Sequence, residues 1–112
     1  TRLIHLTRAV KQRYPDLVVV GAGYSWLRHH LGNVGAAVLA RGWADLVGAG
    51  RAAFAYPDFA RDLLATGAMN PRAACIACSR CTQIMRDHGH AGCAMFDREV
   101  YGPIYEACRH GR

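Results

Sequence analysis

Long apolar runs are missing from this 112-residue chain. The longest falls far short of the ~18 residues that a membrane span needs. No segment has the charged start, apolar middle and small-residue end of a secretory signal, so the expected setting is cytoplasmic. The chain starts at Thr1 rather than Met, which points to a processed or truncated polypeptide. Lysine is nearly missing as well, with Lys11 alone among the basic residues and the rest Arg. Those arginines are scattered and form no block or stripe, so a nucleic-acid partner is not expected. No low-complexity tract occurs, and 52% hydrophobic against 20% charged residues excludes a disordered tail.

What is present is one domain's worth of globular sequence with a net charge of +6. Arginine in place of lysine favours planar, bidentate contacts with phosphate or carboxylate. A solvated basic surface is the plainer alternative. Cys75, Cys78, Cys81 and Cys93 crowd into one short segment. The rest of the chain reads as helix and strand rather than as a loop-rich disulfide scaffold. Metal or cluster ligation is therefore the better reading of the thiols.

Periodicity places a helix over residues 2–14, with Leu3, Leu6 and Val10 at helical spacing. Pro15-Asp16 stops it. Leu17-Val18-Val19-Val20 is a continuous β-branched run, the habit of a strand buried on both faces in a parallel sheet. Gly21-Ala22-Gly23 ends that strand. A helix is expected over 33–41 with Asn33 as N-cap and Val34, Ala37 and Val38 facing inward. Ala44-Asp45-Leu46-Val47 reads as a second strand, ending in Gly48-Ala49-Gly50-Arg51. A third helix is expected near 58–66, opened by Pro57, with Phe59, Leu63 and Leu64 as its apolar stripe and Gly67 at its end.

The two strands start 27 residues apart, which suits one βαβ unit with a right-handed crossover. Two short parallel strands, apolar on both faces, do not make a stable sheet alone. The chain is therefore expected to be a piece of a larger α/β domain, or to need a partner, a homo-oligomer included.

Both strands end in Gly-x-Gly. Ligands of open α/β sheets and of barrels sit at that end. Amides from the two turns, joined by Arg51, describe a phosphate cradle. Tight turns with a structural Arg are the alternative. Gly48, Gly50 and Ala53 also spell a Rossmann-type G-x-G-x-x-A. Its context is wanting, because the next helix is expected near Pro57 and no acid-ended strand follows.

The thiol spacing C-x2-C-x2-C-x11-C suits a [4Fe–4S] cube, with three corners from one loop and one from a return. Structural zinc more often uses two separated C-x2-C pairs, and His88 or His90 are its candidate substitute ligands. Arg80 and Arg86 lie in the segment and are candidates for stabilising an anionic cluster and tuning its potential. Cys108 falls outside the spacing and reads as a spare thiol. Trp26 and Trp43 read as packing residues, and His29-His30 as loop surface.

Leu17 to Gly23, then Ala44 to Arg51, then Pro57-Asp58-Phe59, resemble the last two βα units of the Old Yellow Enzyme-like NADH:flavin oxidoreductases. The cysteine segment resembles the iron–sulfur branch of that family, which includes 2,4-dienoyl-CoA reductase and trimethylamine dehydrogenase. The resemblance covers nearly the whole chain. It implies an α/β fold, with residues 1–69 as the C-terminal part of a TIM barrel, a (β/α)8 cylinder binding FMN. Residues 70–112 would be a cysteine-rich cluster-binding extension. By the resemblance, Gly21, Ala22, Gly23, Gly50 and Arg51 bind the FMN phosphate, and Cys75, Cys78, Cys81 and Cys93 hold a [4Fe–4S] cluster that relays electrons. NAD(P)H would be the co-substrate, with a small-molecule substrate as the other partner. The family's proton-donating residues belong to the first six units, so no catalytic residue is named. A zinc-stabilised binding module with a basic surface is the reading from another class, and a Rossmann-type dinucleotide binder is a third.

Overall fold

A computed structural model describes residues 1–110 of the chain. It is a mixed, largely helical fold with few strands. Along the chain run α1 (Arg2–Arg13), β1 (Val20–Gly21), a 3-10 segment (Tyr24–His30) and α2 (Leu31–Ala40). Then come β2 (Leu46–Val47), α3 (Gly50–Ala55), α4 (Phe59–Thr66), α5 (Arg80–Arg86) and α6 (Arg98–His110). No helix among the described residues is long and apolar enough to cross a membrane.

β1 and β2 pair in parallel, Val20 with Leu46 and Gly21 with Val47. The expected βαβ unit is thus present, with α2 in its crossover. The strands are shorter than the sequence suggests. Leu17 to Val19 lie outside the ladder, because β1 has no second neighbour to pair with among the described residues. Val19 is still tied in through its carbonyl, which accepts from Asp45 N at 2.9 Å.

The core gathers on one side. Ile4, Tyr24, Leu31, Val38, Ala44, Ala52, Tyr56 and Met69 form a single buried cluster. The other faces are bare. Leu3, Leu6 and Val10, expected as the inward stripe of α1, are exposed, and Ile4 is the residue of α1 that is buried. Leu17, Val18, Val20 and Leu46 are exposed too, against the expectation of strands covered on both faces. The reason is the one the sequence already implies: no described residue covers these side chains. The chain is also spread out, with a radius of gyration of 15.8 Å, against about 13 Å for a compact domain of this length.

Several local expectations are corrected. α2 begins at Leu31 with His30 as its cap, so Asn33 lies inside the helix. The preceding 3-10 turns deliver the chain already coiled. Leu64 is 89% exposed, leaving Phe59 and Leu63 as the packed residues of α4. α3 was not expected. It begins at Gly50, inside the glycine turn, so the objection that no helix starts there falls away. The cysteine segment also carries two helices, α5 and α6, which pack on each other.

Candidate cofactor site

The two glycine turns leave neighbouring parallel strands at the same end. Gly48 N donates to Gly21 O at 2.7 Å, so the backbones meet directly after the ladder. A Cβ on Gly48 would stand 3.2 Å from that carbonyl, a tight approach to backbone. Gly23 has φ 87, a left-handed turn that starts the 3-10 segment. Ser25, buried, accepts from Ala52 N at 3.2 Å and locks that segment to α3. The two turns therefore leave the sheet at one end and touch through Gly48 and Gly21.

The cysteine segment follows α4. Its entry is fixed by Tyr56, whose hydroxyl donates a short hydrogen bond to Asp62 and accepts from Asn70 N at 3.4 Å. That bond to Asp62 raises the Tyr56 phenol and lowers the Asp62 carboxyl relative to their ordinary values.

Cys75 is buried, Cys78 exposed, and Cys81 and Cys93 half-buried. All four line one narrow cleft. The first three are brought round by two left-handed residues, Ala77 at φ 57 and Ser79 at φ 62. Both alternate with the cysteines, so each x2 spacer contains a reversal. Ala77 N donates to Cys75 Sγ at 3.4 Å. Cys81 sits in the first turn of α5. Phe54, Ile76, Met95 and Phe96 wall the same cleft, and Arg51 and Arg80 flank it.

The donor set is soft cysteine sulfur in an apolar, basic surround, which suits an iron–sulfur cluster or zinc. Among the described residues, no three His, Cys, Asp or Glu side chains are drawn together as a coordination shell. The thiols ring the cleft without converging on one point. His88 and His90 are exposed and do not line it. Cys108 lies on α6 and lines a different cleft with Gln83, Asp87, Tyr105 and Arg109.

Arg51 is the residue the sequence placed incompletely. Its Nη1 donates to Ser79 Oγ at 3.0 Å, and its guanidinium lies 5.2 Å from the Trp26 ring centroid. It thus reaches from the second glycine turn into the cysteine cleft. Trp26 is 61% exposed, so it is no core residue. Trp43 does pack, against the core cluster, with Arg8 and Arg41 over its ring. Ser79, Phe54 and Phe96 were not singled out from sequence. The only signal for Ser79 was its place between two candidate ligands. His29 and His30 have ring centroids 3.9 Å apart, and His29 Nδ1 is buried without a partner. Comparison with protein-family models, with curated proteins and with solved structures found no match.

Proposed function

We propose that this chain is the C-terminal portion of an FMN-dependent NAD(P)H oxidoreductase of the ene-reductase or dienoyl-reductase kind. It closes a TIM barrel and carries the cysteine ligands of a [4Fe–4S] cluster. The observation that carries the reading is the meeting of Cys75, Cys78, Cys81 and Cys93 on one cleft that Arg51, from the second glycine turn, also lines. The side-by-side turns after β1 and β2 support a phosphate cradle, formed by Gly21, Ala22 and Gly23 with Gly50 and Arg51. The bare faces of α1 and both strands support an enclosing remainder of a barrel.

In this reading the flavin supplies hydride chemistry and the cluster single-electron relay. The chain's own part is narrower. Backbone amides of the glycine turns would hold the phosphate, Arg51 adds charge, and Phe54 and Phe96 wall the cleft beside the four cysteines. On its own this portion is inactive, because the substrate-facing units are elsewhere.

The test is anaerobic purification of the full-length protein. A brown protein with flavin and cluster absorbance, holding about four iron atoms per chain, is the expected result. A protein that stays colourless after reconstitution with FMN, iron and sulfide contradicts it. One zinc and no iron supports the other reading, a zinc-stabilised module with a basic surface.

A further inference from the structure

Arg51 is held from two sides. Ser79, between Cys78 and Cys81, accepts its Nη1–H at 3.0 Å. Trp26, from the segment after the first glycine turn, lies beneath its guanidinium at 5.2 Å. Arg51 is half-buried and lines the cleft of the four cysteines, whose lining among the described residues contains no Asp or Glu. The other basic residue there, Arg80, lies over the Tyr105 ring at 5.1 Å. Arg86 does not line the cleft. Of the two arginines that line the cleft, Arg51 is the one that comes from the glycine turn and bonds the cysteine loop through Ser79.

Resting on the reading above, we propose that Arg51 is a positioning residue for the cysteine site as well as a phosphate ligand. It anchors the Cys78–Cys81 turn to α3 and sets the reduction potential of the cluster held there. Adding one electron to a thiolate-ligated cluster adds one negative charge, with no bond made or broken. The electron comes from reduced flavin, or from dithionite in the test. A fixed cation in a partly dry cleft favours that extra charge and so raises the potential. Ser79 aims the cation. Ser79 is left-handed at φ 62, and its hydroxyl ties the turn between Cys78 and Cys81 to α3 through Arg51.

The experiment is a potentiometric titration with dithionite, followed by electron paramagnetic resonance, on the full-length protein prepared anaerobically. Flavin and iron contents are read from the same samples. Arg51→Met is expected to lower the reduced-to-oxidised ratio at a fixed potential about tenfold, a shift of ~59 mV to the negative for a one-electron couple. Ser79→Gly removes the hydroxyl yet suits a positive φ, so it folds. It is expected to shift the potential in the same direction by less, with flavin retained. Arg61→Met takes the same charge from the surface of α4 and is expected to leave the potential in place. Unchanged potentials in Arg51→Met and Ser79→Gly, both holding iron, overturn the proposal and leave the cluster reading standing. No iron in the unmodified protein overturns both.

Discussion

Lys11 Nζ lies 2.9 Å from Asp45 Oδ2, the same oxygen that accepts Val19 N–H at 2.8 Å. One carboxylate therefore joins α1 to the approach of β1 and to β2. Lys11 also caps the turn, donating to Pro15 O at 2.7 Å and Leu17 O at 2.8 Å. The Val19 amide first, and Lys11 second, hold the Asp45 carboxyl below its ordinary value. A lowered folded-state pKa means stability that is present above the unfolded value and lost as pH falls through the folded one. The melting temperature of the native chain is expected to fall between about pH 5 and about pH 2, and that of Asp45→Asn to start lower and fall less steeply. Thermal melts across that range measure it. Parallel acid limbs in the two proteins would remove Asp45 from the account.

Tyr24 is fully buried, and its hydroxyl has no hydrogen-bond partner. Burial raises its phenol above the ordinary value. A Cβ on Gly21 would stand 2.6 Å from that oxygen. Gly21→Ala should therefore destabilise by about 1–3 kcal/mol through overpacking. Tyr24→Phe deletes an unsatisfied buried hydroxyl and should be neutral or mildly stabilising. In the double variant, removing the oxygen opens space for the methyl, so Tyr24→Phe should recover part of the Gly21→Ala loss. Urea denaturation of the four proteins gives the coupling. Strict additivity would mean that the contact does not explain the glycine.

Cys78 and Cys108 are both thiols of the C-terminal segment, yet they face different clefts. Cys78→Ser should strip most of the iron from the full-length protein, and Cys108→Ser should leave it. Iron and acid-labile sulfide per chain are the readout. Equal loss in the two variants would undo the ligand assignment.

The parts of this fold that were legible in sequence are those set by local chemistry. The Leu17–Val20 run and the Ala44–Val47 run point to neighbouring parallel strands, and Val20 and Leu46 do pair. Their extent was not legible, because a strand's length depends on partners beyond its own residues. α3 was missed because Gly50 reads as a turn residue and the helix is only six residues long, too short to show an apolar period, although its alanines favour a helix. The apolar spacing of Leu3, Leu6 and Val10 marks a helix correctly, but not whether anything covers it. The four cysteines show their kinship by spacing alone. The Arg51–Ser79 bond joins residues 28 apart, and no periodicity carries such a contact.

Arg51→Ala bears on the phosphate cradle. A charged hydrogen bond to phosphate is worth about 1.5–3 kcal/mol, so the variant should release FMN more readily by that amount. Flavin fluorescence on dilution measures it. Unchanged retention would confine Arg51 to the cysteine side of the site. Loss of flavin in Ser79→Gly would show instead that the serine bond, not the guanidinium charge, holds the cradle in shape.

Val18 tests whether the bare faces are solvent surface or a seam. It is 70% exposed, and it stands beside Val20 at 57% and Leu46 at 56% on the uncovered strands. A lysine at such a position in this chain touches nothing, and its cost should stay within about 0.5 kcal/mol. In the full-length protein the same position is expected to be enclosed by further barrel strands. There an unpaired ammonium would lose its water, with a penalty of several kcal/mol. Val18→Lys should therefore leave the melting of the isolated chain unchanged while it prevents soluble, flavin-loaded assembly of the whole. Val18→Ile, which keeps the apolar surface, should assemble normally and separates loss of packing from a general sensitivity of the site. A full-length Val18→Lys protein with normal flavin content would show that this face meets water in the finished molecule, and the barrel would have to be given up.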